Sequence, residues 1–307
     1  MPRMIHTAQG LVDQIVEVPN LPSRGLNTVA KSVQLEAGGA VNVLLAARRS
    51  GVEAVHAGTV GEGRNGDLIR AALAAEDVVI SSPPLQGMDT GICIVLLEPS
   101  AERTFITQQG AEREITVESL QTSNPVPGDY ICVSGYTLQG KTKEPLLQWL
   151  ESLPAGVKVV LDPGAAFNEL DEATKDVMLA ATNIWTSNAQ EAEELTGAAE
   201  MMDSAPLVAE RLPGAAIAIV RDGPLGCAVH ANGRTTEIPG YPKKPIDTNG
   251  AGDAHTGTLV AELCLGSDIY LACKRANVAG AIKVTRSGPA TAPTRAEIDD
   301  FLATSPR

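Results

Sequence analysis

Asp247-Thr-Asn-Gly-Ala-Gly-Asp253, continued by Ala254-His-Thr-Gly-Thr-Leu-Val-Ala-Glu-Leu263, places two glycines and an aspartate ahead of a small, apolar run. The run predicts a helix. The glycine turn before it leaves backbone N–H groups unpaired at the helix N-terminus, which makes an anion site. A carboxylate there would repel a bound phosphate. Asp253 therefore suits a different task, taking a proton from a nucleophile while the amides of Gly250, Ala251 and Gly252 stabilise charge on a transferring group. An N-capping aspartate after a glycine turn is the structural alternative for the same residues.

The run is similar to the C-terminal signature of the ribokinase-like (PfkB) carbohydrate kinases, in which D-T-x-G-A-G-D carries the anion hole and the catalytic base. His255 and Thr258 depart from that pattern, where a phenylalanine or small residue and an alanine or glycine are usual. The resemblance implies a three-layer α/β/α sandwich with a mostly parallel central sheet. It implies one domain over residues 1–307, with a small β-sheet lid built from segments near 12–36 and 86–110. The implied activity is ATP-dependent phosphorylation of a hydroxymethyl group of a sugar or related small polyol, with Mg²⁺. A nucleoside kinase of the same fold, or a sugar or nucleotide sensor that does not catalyse, is the alternative.

Composition is consistent with this. A chain of 307 residues with 44% hydrophobic content fills a substantial core. A formal charge of −13 argues against a non-specific nucleic-acid surface or an anionic membrane partner. An anionic nucleotide then needs a local site of backbone amides and a few cations. Aromatic residues make up 3% of the chain, too few for a stacking surface for single strands. Cys93, Cys132, Cys227, Cys264 and Cys273 are odd in number, lack a Cys-x-x-Cys pair and sit in apolar surroundings, as small core residues of a reducing compartment do. No apolar run reaches the length of about 18 residues that spans a bilayer, and no basic leader with an apolar core opens the chain. A cytoplasmic location is expected.

Upstream, residues 4–18 read as strands interrupted at Gly10 and Asp13, with Asp13 either a turn residue or a ligand group. In the family an aspartate at this point binds hydroxyls of the acceptor. Leu35 to Gly51 runs from the pair Gly38-Gly39 into a helix through Val41, Leu44 and Leu45. The glycines allow close backbone approach to a ligand, and Asn42 offers a polyol both donor and acceptor. A helix entry with a glycine turn explains the same residues. The stretch resembles the family's N-terminal signature but lacks Gly-Gly-Lys-Gly-Ala-Asn, the form of ribokinases proper, which weighs against ribose. Gly91–Leu97 and Arg103–Thr107 alternate around Glu98-Pro-Ser-Ala-Glu102 and predict a hairpin. In the family this hairpin belongs to the lid, and pairing of two lids in a homodimer covers its edges and faces.

Two literal motifs point elsewhere. Gly61-Glu-Gly-Arg-Asn-Gly66 spells the dinucleotide fingerprint, yet the acid needed about 20 residues later is replaced by Ser81-Ser-Pro-Pro84. Gly135-Tyr-Thr-Leu-Gln-Gly-Lys-Thr142 spells a phosphate loop, followed by a Walker-B-like Val157-Lys-Val-Val-Leu-Asp162. Pro145 opposes a helix beginning at Lys141 and predicts one that starts near 145 with proline in its first position.

The second half collects the nucleotide groups. Asn188-Ala-Gln-Glu191 fits a capping box, and it resembles the family motif that orders phosphate-bound Mg²⁺ through water. Arg221-Asp-Gly-Pro-Leu-Gly226 resembles the family's phosphate-contacting loop, with Arg221 in place of threonine and Gly223 and Gly226 retained; a hairpin turn fits it too. The resemblance places Asn277 near the adenine pocket and makes Asp247, Asn249 and Gly288 a candidate site for a monovalent cation such as K⁺. His255 reads as a packing residue, a neighbour that tunes Asp253, or an acceptor contact.

Overall fold

The computed structural model describes residues 1–100 and 102–305. These form thirteen strands: β1 (Met4–His6), β2 (Gly10–Glu17), β3 (Ser32–Gly39), β4 (Ala54–His56), β5 (Val79–Ile80), β6 (Ile92–Leu97), β7 (Arg103–Gln108), β8 (Tyr130–Ser134), β9 (Lys158–Asp162), β10 (Ile184–Asn188), β11 (Ile217–Arg221), β12 (Gly226–Ala231) and β13 (Arg234–Pro239). Nine make the central sheet in the order β13-β12-β11-β10-β9-β8-β1-β4-β5. Pairing is parallel from β11 to β5 and antiparallel from β11 to β13. The architecture is the three-layer sandwich expected.

Strand alternation generates the layers. Met4, Val160 and Ile219 point to one face and their neighbours Ile5, Leu161 and Val220 to the other, each set inside its own apolar cluster. The first cluster is covered by helices Ala40–Arg49, Arg64–Ala74, Ala251–Cys264 and Ile269–Lys283, through residues such as Leu44, Ile69, Leu259 and Ala276. The second is covered by helices Lys143–Glu151, Glu172–Ala181 and Met201–Glu210, through Trp149, Met178 and Val208. Full burial of a side chain of this size contributes about 1.5–3 kcal/mol, so helices with modest apolar faces are held mainly by packing.

A separate four-stranded sheet, β3-β2-β6-β7, forms the lid, and the expected hairpin is β6–β7. Asp13 is not at an interruption. It sits within β2, opposite Glu36 on β3 and Cys93 on β6. The break falls instead between His6 and Gly10. An aspartate is accommodated in the strand because Gly38 across the ladder has no side chain; a Cβ there would collide with the Asp13 carboxylate.

Both misleading motifs are put to structural use. The amides of Asn65 and Gly66, at the N-terminus of helix Arg64–Ala74, donate to the carboxylate of Asp89 at 3.1 and 2.9 Å. The anion niche of that glycine turn is filled from within the chain. Gly135–Thr142 folds as two 3₁₀ turns. Its Lys141 pairs with Glu114, and the buried Thr142 hydroxyl donates to the carbonyls of Thr137 at 2.7 Å and Gln139 at 2.9 Å. The following helix begins at Lys143 rather than Pro145, because the first turn has no N–H partner to lose at proline.

Candidate active site

The C-terminal ends of the parallel strands open into one cavity of about 1020 Å³, lined there by His6, Ser134, Asp162, Asn188 and Arg221. This is the ligand edge of an open α/β sheet. Lid residue Thr107 and the first turn of helix Ala251–Cys264 close the sides. That helix follows Gly250, which has φ 77° and where a Cβ would collide with the Pro289 carbonyl. Only glycine fits this turn. The Ala251 N–H closes the turn on the Thr248 carbonyl at 3.2 Å. The Gly252 N–H, second in the helix, has no intrahelical partner.

Asp253 stands in this first turn and lines the cavity. One carboxylate oxygen accepts the Asn42 amide at 2.9 Å. Burial pushes its pKa up to about 6, against that hydrogen bond, and the charge of Asp162 adds to the rise. Asp13 is likewise pushed up to about 6, by burial and then by Glu36 and Asp253. Gly39 lines the cavity, Gly38 lies against the Asp13 carboxylate, and Asn42 reaches Asp253. The buried Asn42 Oδ1 has no partner within the protein.

On the opposite side, Asn188 and Glu191 form a full capping box for helix Ala189–Thr196. Asn188 Oδ1 accepts the Glu191 N–H at 2.8 Å, and the Glu191 carboxylate accepts the Asn188 N–H at 2.9 Å. Both residues also line the cavity, together with Asp162. Burial and the like charge of Asp162 push the Glu191 carboxyl above its ordinary range, which suits a site that receives a cation. Asp162 and Glu191 fit Mg²⁺ held through water; no cluster of three or more metal-ligating His, Cys, Asp or Glu residues exists among the described residues.

Arg221–Gly226 is the turn of the β11–β12 hairpin and lines the same cavity. Arg221 is anchored throughout. It donates to the carbonyls of Ser187 at 3.0 Å and Gly252 at 3.0 Å, and meets the Asp162 carboxylate at 3.3 Å. It thus joins two strand ends to the glycine turn. Asn277 is also committed, donating to the carbonyls of Ile238 at 3.0 Å and Pro239 at 3.3 Å. Its Oδ1 lies 3.1 Å from His255 Nε2. His255 therefore belongs to the Asn277 side of the cavity and makes no hydrogen bond to Asp253.

Asp247, Asn249 and Gly288 do come together, but as a carboxylate receiving two backbone N–H groups, at 2.9 and 3.0 Å. A positive charge is already there: the fully buried Lys283 ammonium lies 2.9 Å from the Asp247 carbonyl and 3.8 Å from its carboxylate. Lid residue Arg103 adds an ion pair at 2.8 Å. Exchange of K⁺ for tetramethylammonium at constant ionic strength should accordingly leave turnover unchanged, whereas a strict K⁺ requirement would show that Lys283 does not fill this role.

Sequence reasoning missed Gln9 and Arg113, which line the cavity, and Thr256, whose hydroxyl donates to Asp162 at 3.0 Å. Thr256 lies one turn after Gly252, a helical spacing that marks it as sharing the cavity face. Gln9 and Arg113 carry no such local signal.

The pfkB family carbohydrate kinase profile matches residues 8–295. The chain is 31% identical to an uncharacterized sugar kinase, YegV, of Escherichia coli K12, over 94% of this chain and 90% of that one. It is 26% identical to a ribokinase of Haemophilus influenzae, over 94% and 95%. Among solved structures, ribokinase from Giardia lamblia superposes with a TM-score of 0.84 at 20% identity, covering 99% of both chains. Arabidopsis thaliana ribokinase complexed with ribose and ATP gives 0.82 at 22%, also covering 99% of both. At such identities these two likenesses speak for the fold alone.

Proposed function

The chain belongs to the pfkB family of carbohydrate kinases, ATP-dependent phosphotransferases, and from the geometry of its site we propose that it phosphorylates a hydroxymethyl group of a sugar or related small polyol. The observation that carries this reading is Asp253, half-buried at a glycine turn beneath the lid, with Asn42 holding its carboxylate at 2.9 Å. In this reading Asp253 accepts the acceptor's hydroxyl proton, and the Gly250–Gly252 turn faces the charge that develops on the transferred phosphoryl group. Asp13, Gly38, Gly39 and Asn42 shape the acceptor side. Arg221, Gly223, Gly226 and Asn277 lie on the ATP side, with Asn188. Mg²⁺ near Asp162 and Glu191 would screen the phosphates.

The test is ADP release from Mg-ATP across sugars, sugar acids, sugar phosphates, polyols and nucleosides, with Asp253→Asn as the blank. Turnover that vanishes in the variant supports a kinase and names its acceptor class. A nucleoside as best acceptor would replace the sugar reading. Silence on the whole panel, with ATP still bound, would favour a sensor.

The lid supports a homodimer. Val33, Leu35 and Ile106 are 56%, 38% and 57% exposed and share one face of this small sheet, and a second copy's lid would cover such a face. Sedimentation should give twice the chain mass, with Ile106→Asp shifting it to the monomer; a monomeric wild type would overturn this assembly. No helix among the described residues is long and apolar enough to cross a membrane. All five cysteines are buried free thiols, which supports a cytoplasmic location.

A further inference from the structure

Arg113 ends the short turn Ala111–Arg113, where the lid hairpin returns to the main body, and it lines the cavity beside Gln109, Glu112 and Gln139. It is 8% exposed. Its guanidinium donates to the carbonyls of Tyr136, at 2.9 Å, and Gln139. None of the ion pairs among the described residues includes it. Arg275, buried to a similar degree at 7% exposure, contacts Glu262 at 2.6 Å and Asp299 at 2.7 Å.

The adjacent acid is otherwise engaged. The Glu112 carboxylate accepts the amides of Gly91 at 2.6 Å and Gly110 at 2.8 Å. Burial pulls the Arg113 pKa below its ordinary value, with Glu112 opposing, but a guanidinium stays charged in proteins. Carbonyl dipoles solvate that charge without neutralising it, and a buried charge is costly until it is paired. One donor at the cavity is unmatched: Gln9 lines it, and its buried Nε2 has no partner in the protein. Both groups sit where the chain passes between the main sheet and the lid.

Resting on the reading of this site as a polyol kinase, we propose that the acceptor carries an oxyanion, a carboxylate or phosphate group on the sugar, bound by Arg113 and Gln9 while its hydroxymethyl end lies at Asp253. A chain of formal charge −13 repels an anionic substrate in general, so a local cation is what admits one. Charge-assisted hydrogen bonds from a guanidinium are the strong kind. The uncompensated charge of Arg113 and the unmatched Gln9 amide also disfavour the neutral analogue, because both would stay so in its complex.

The experiment compares kcat/KM for neutral sugars, the corresponding sugar acids, sugar phosphates and nucleosides in wild type, Arg113→Gln, Gln9→Leu and Asp253→Asn. Wild type should prefer one anionic class over its neutral counterpart by about 100-fold, and the sugar-acid and sugar-phosphate arms identify which oxyanion is bound. Arg113→Gln should lower kcat/KM on the anion by about 100-fold, chiefly through KM, and leave neutral sugars nearly unaffected. Because Arg113 also holds two carbonyls, Gln9→Leu provides an independent variant, with an expected loss of about tenfold on the anion. A neutral acceptor preferred by wild type would overturn the proposal, as would a folded Arg113→Gln that keeps the anionic preference. Failure of every arm to give Asp253-dependent turnover would remove the kinase reading itself, a different result from turnover confined to neutral acceptors.

Discussion

Asp253→Asn should lower turnover by about 10²–10⁴-fold with a folded protein and little change in KM, the loss typical of removing a positioned general base. The substitution keeps size and one oxygen, so the Asn42 amide retains an acceptor. The pH profile adds a readout that folding cannot mimic. A base whose carboxyl is pushed up to about 6 by burial is active only when ionised. Wild-type kcat should therefore be level above pH 6 and fall about tenfold per unit below it. Asp13 titrates in the same range, so the limb is assigned to Asp253 only if it disappears in the variant. Stability should move the other way. A carboxyl whose folded pKa is raised contributes stability below its unfolded pKa and loses it as pH rises through the folded one. The shift of Asp253 from 3.8 to about 6 corresponds to about 3 kcal/mol at neutral pH. Asp253→Asn should then resist denaturant better than wild type at pH 7 and lose that advantage near pH 4. Near-normal turnover in the variant would remove Asp253 from the chemistry.

Glu262→Ala should cost about 3–5 kcal/mol of stability, as breaking a buried ion pair does. Glu262 is fully buried on the helix that carries Asp253. Its carboxylate meets Arg275 at 2.6 Å, Arg295 at 2.6 Å and the Ser267 hydroxyl at 2.7 Å. These contacts tie helix Ala251–Cys264 to helices Ile269–Lys283 and Arg295–Thr304. Alanine would leave Arg275 buried with only its more exposed partner Asp299. Arg295 has a 39% exposed side chain, so Arg295→Ala should cost about 0–1 kcal/mol. The denaturant midpoints of the two variants order these expectations, and equal midpoints would show that the burial of Glu262 does not govern its energetic weight.

The legible parts of the molecule were those whose chemistry is local in the chain. The glycine turn before Asp253, the β6–β7 alternation and the capping box at Asn188 each declare themselves within a few residues. Pro145 was enough to reject a phosphate loop, although the helix starts two residues earlier, at Lys143. What stayed hidden depends on distant partners. Asp13 fits inside a strand because of Gly38, which only the β2–β3 ladder brings diagonally alongside it. Lys283 reads as the polar end of an apolar helix until the Asp247 carbonyl is seen beside it. Arg113, between two glutamates in the chain, looks like a solvated surface charge; its burial follows from the turn that folds it against Tyr136 and Gln139.

The lid hairpin is attached by two carboxylates at its root. Asp89 receives the amides of Asn65, Gly66 and, at 2.7 Å, Thr90, while Glu112 grips Gly91 and Gly110, one residue from each side of the hairpin base. The ribbon is held away from its base as well: β6 pairs with β2 from Ile92 to Leu97, and Arg103, opposite Leu97 at the tip end, pairs with Asp247 at 2.8 Å. The turn at Glu98-Pro-Ser100 is the far end, and the base holds Arg113 against the cavity wall. The hairpin is thus moored to the main body at both ends, through Asp89 and Glu112 at its root and Arg103 at its tip, so the roof of the cavity is set by carboxylates and not by apolar packing alone.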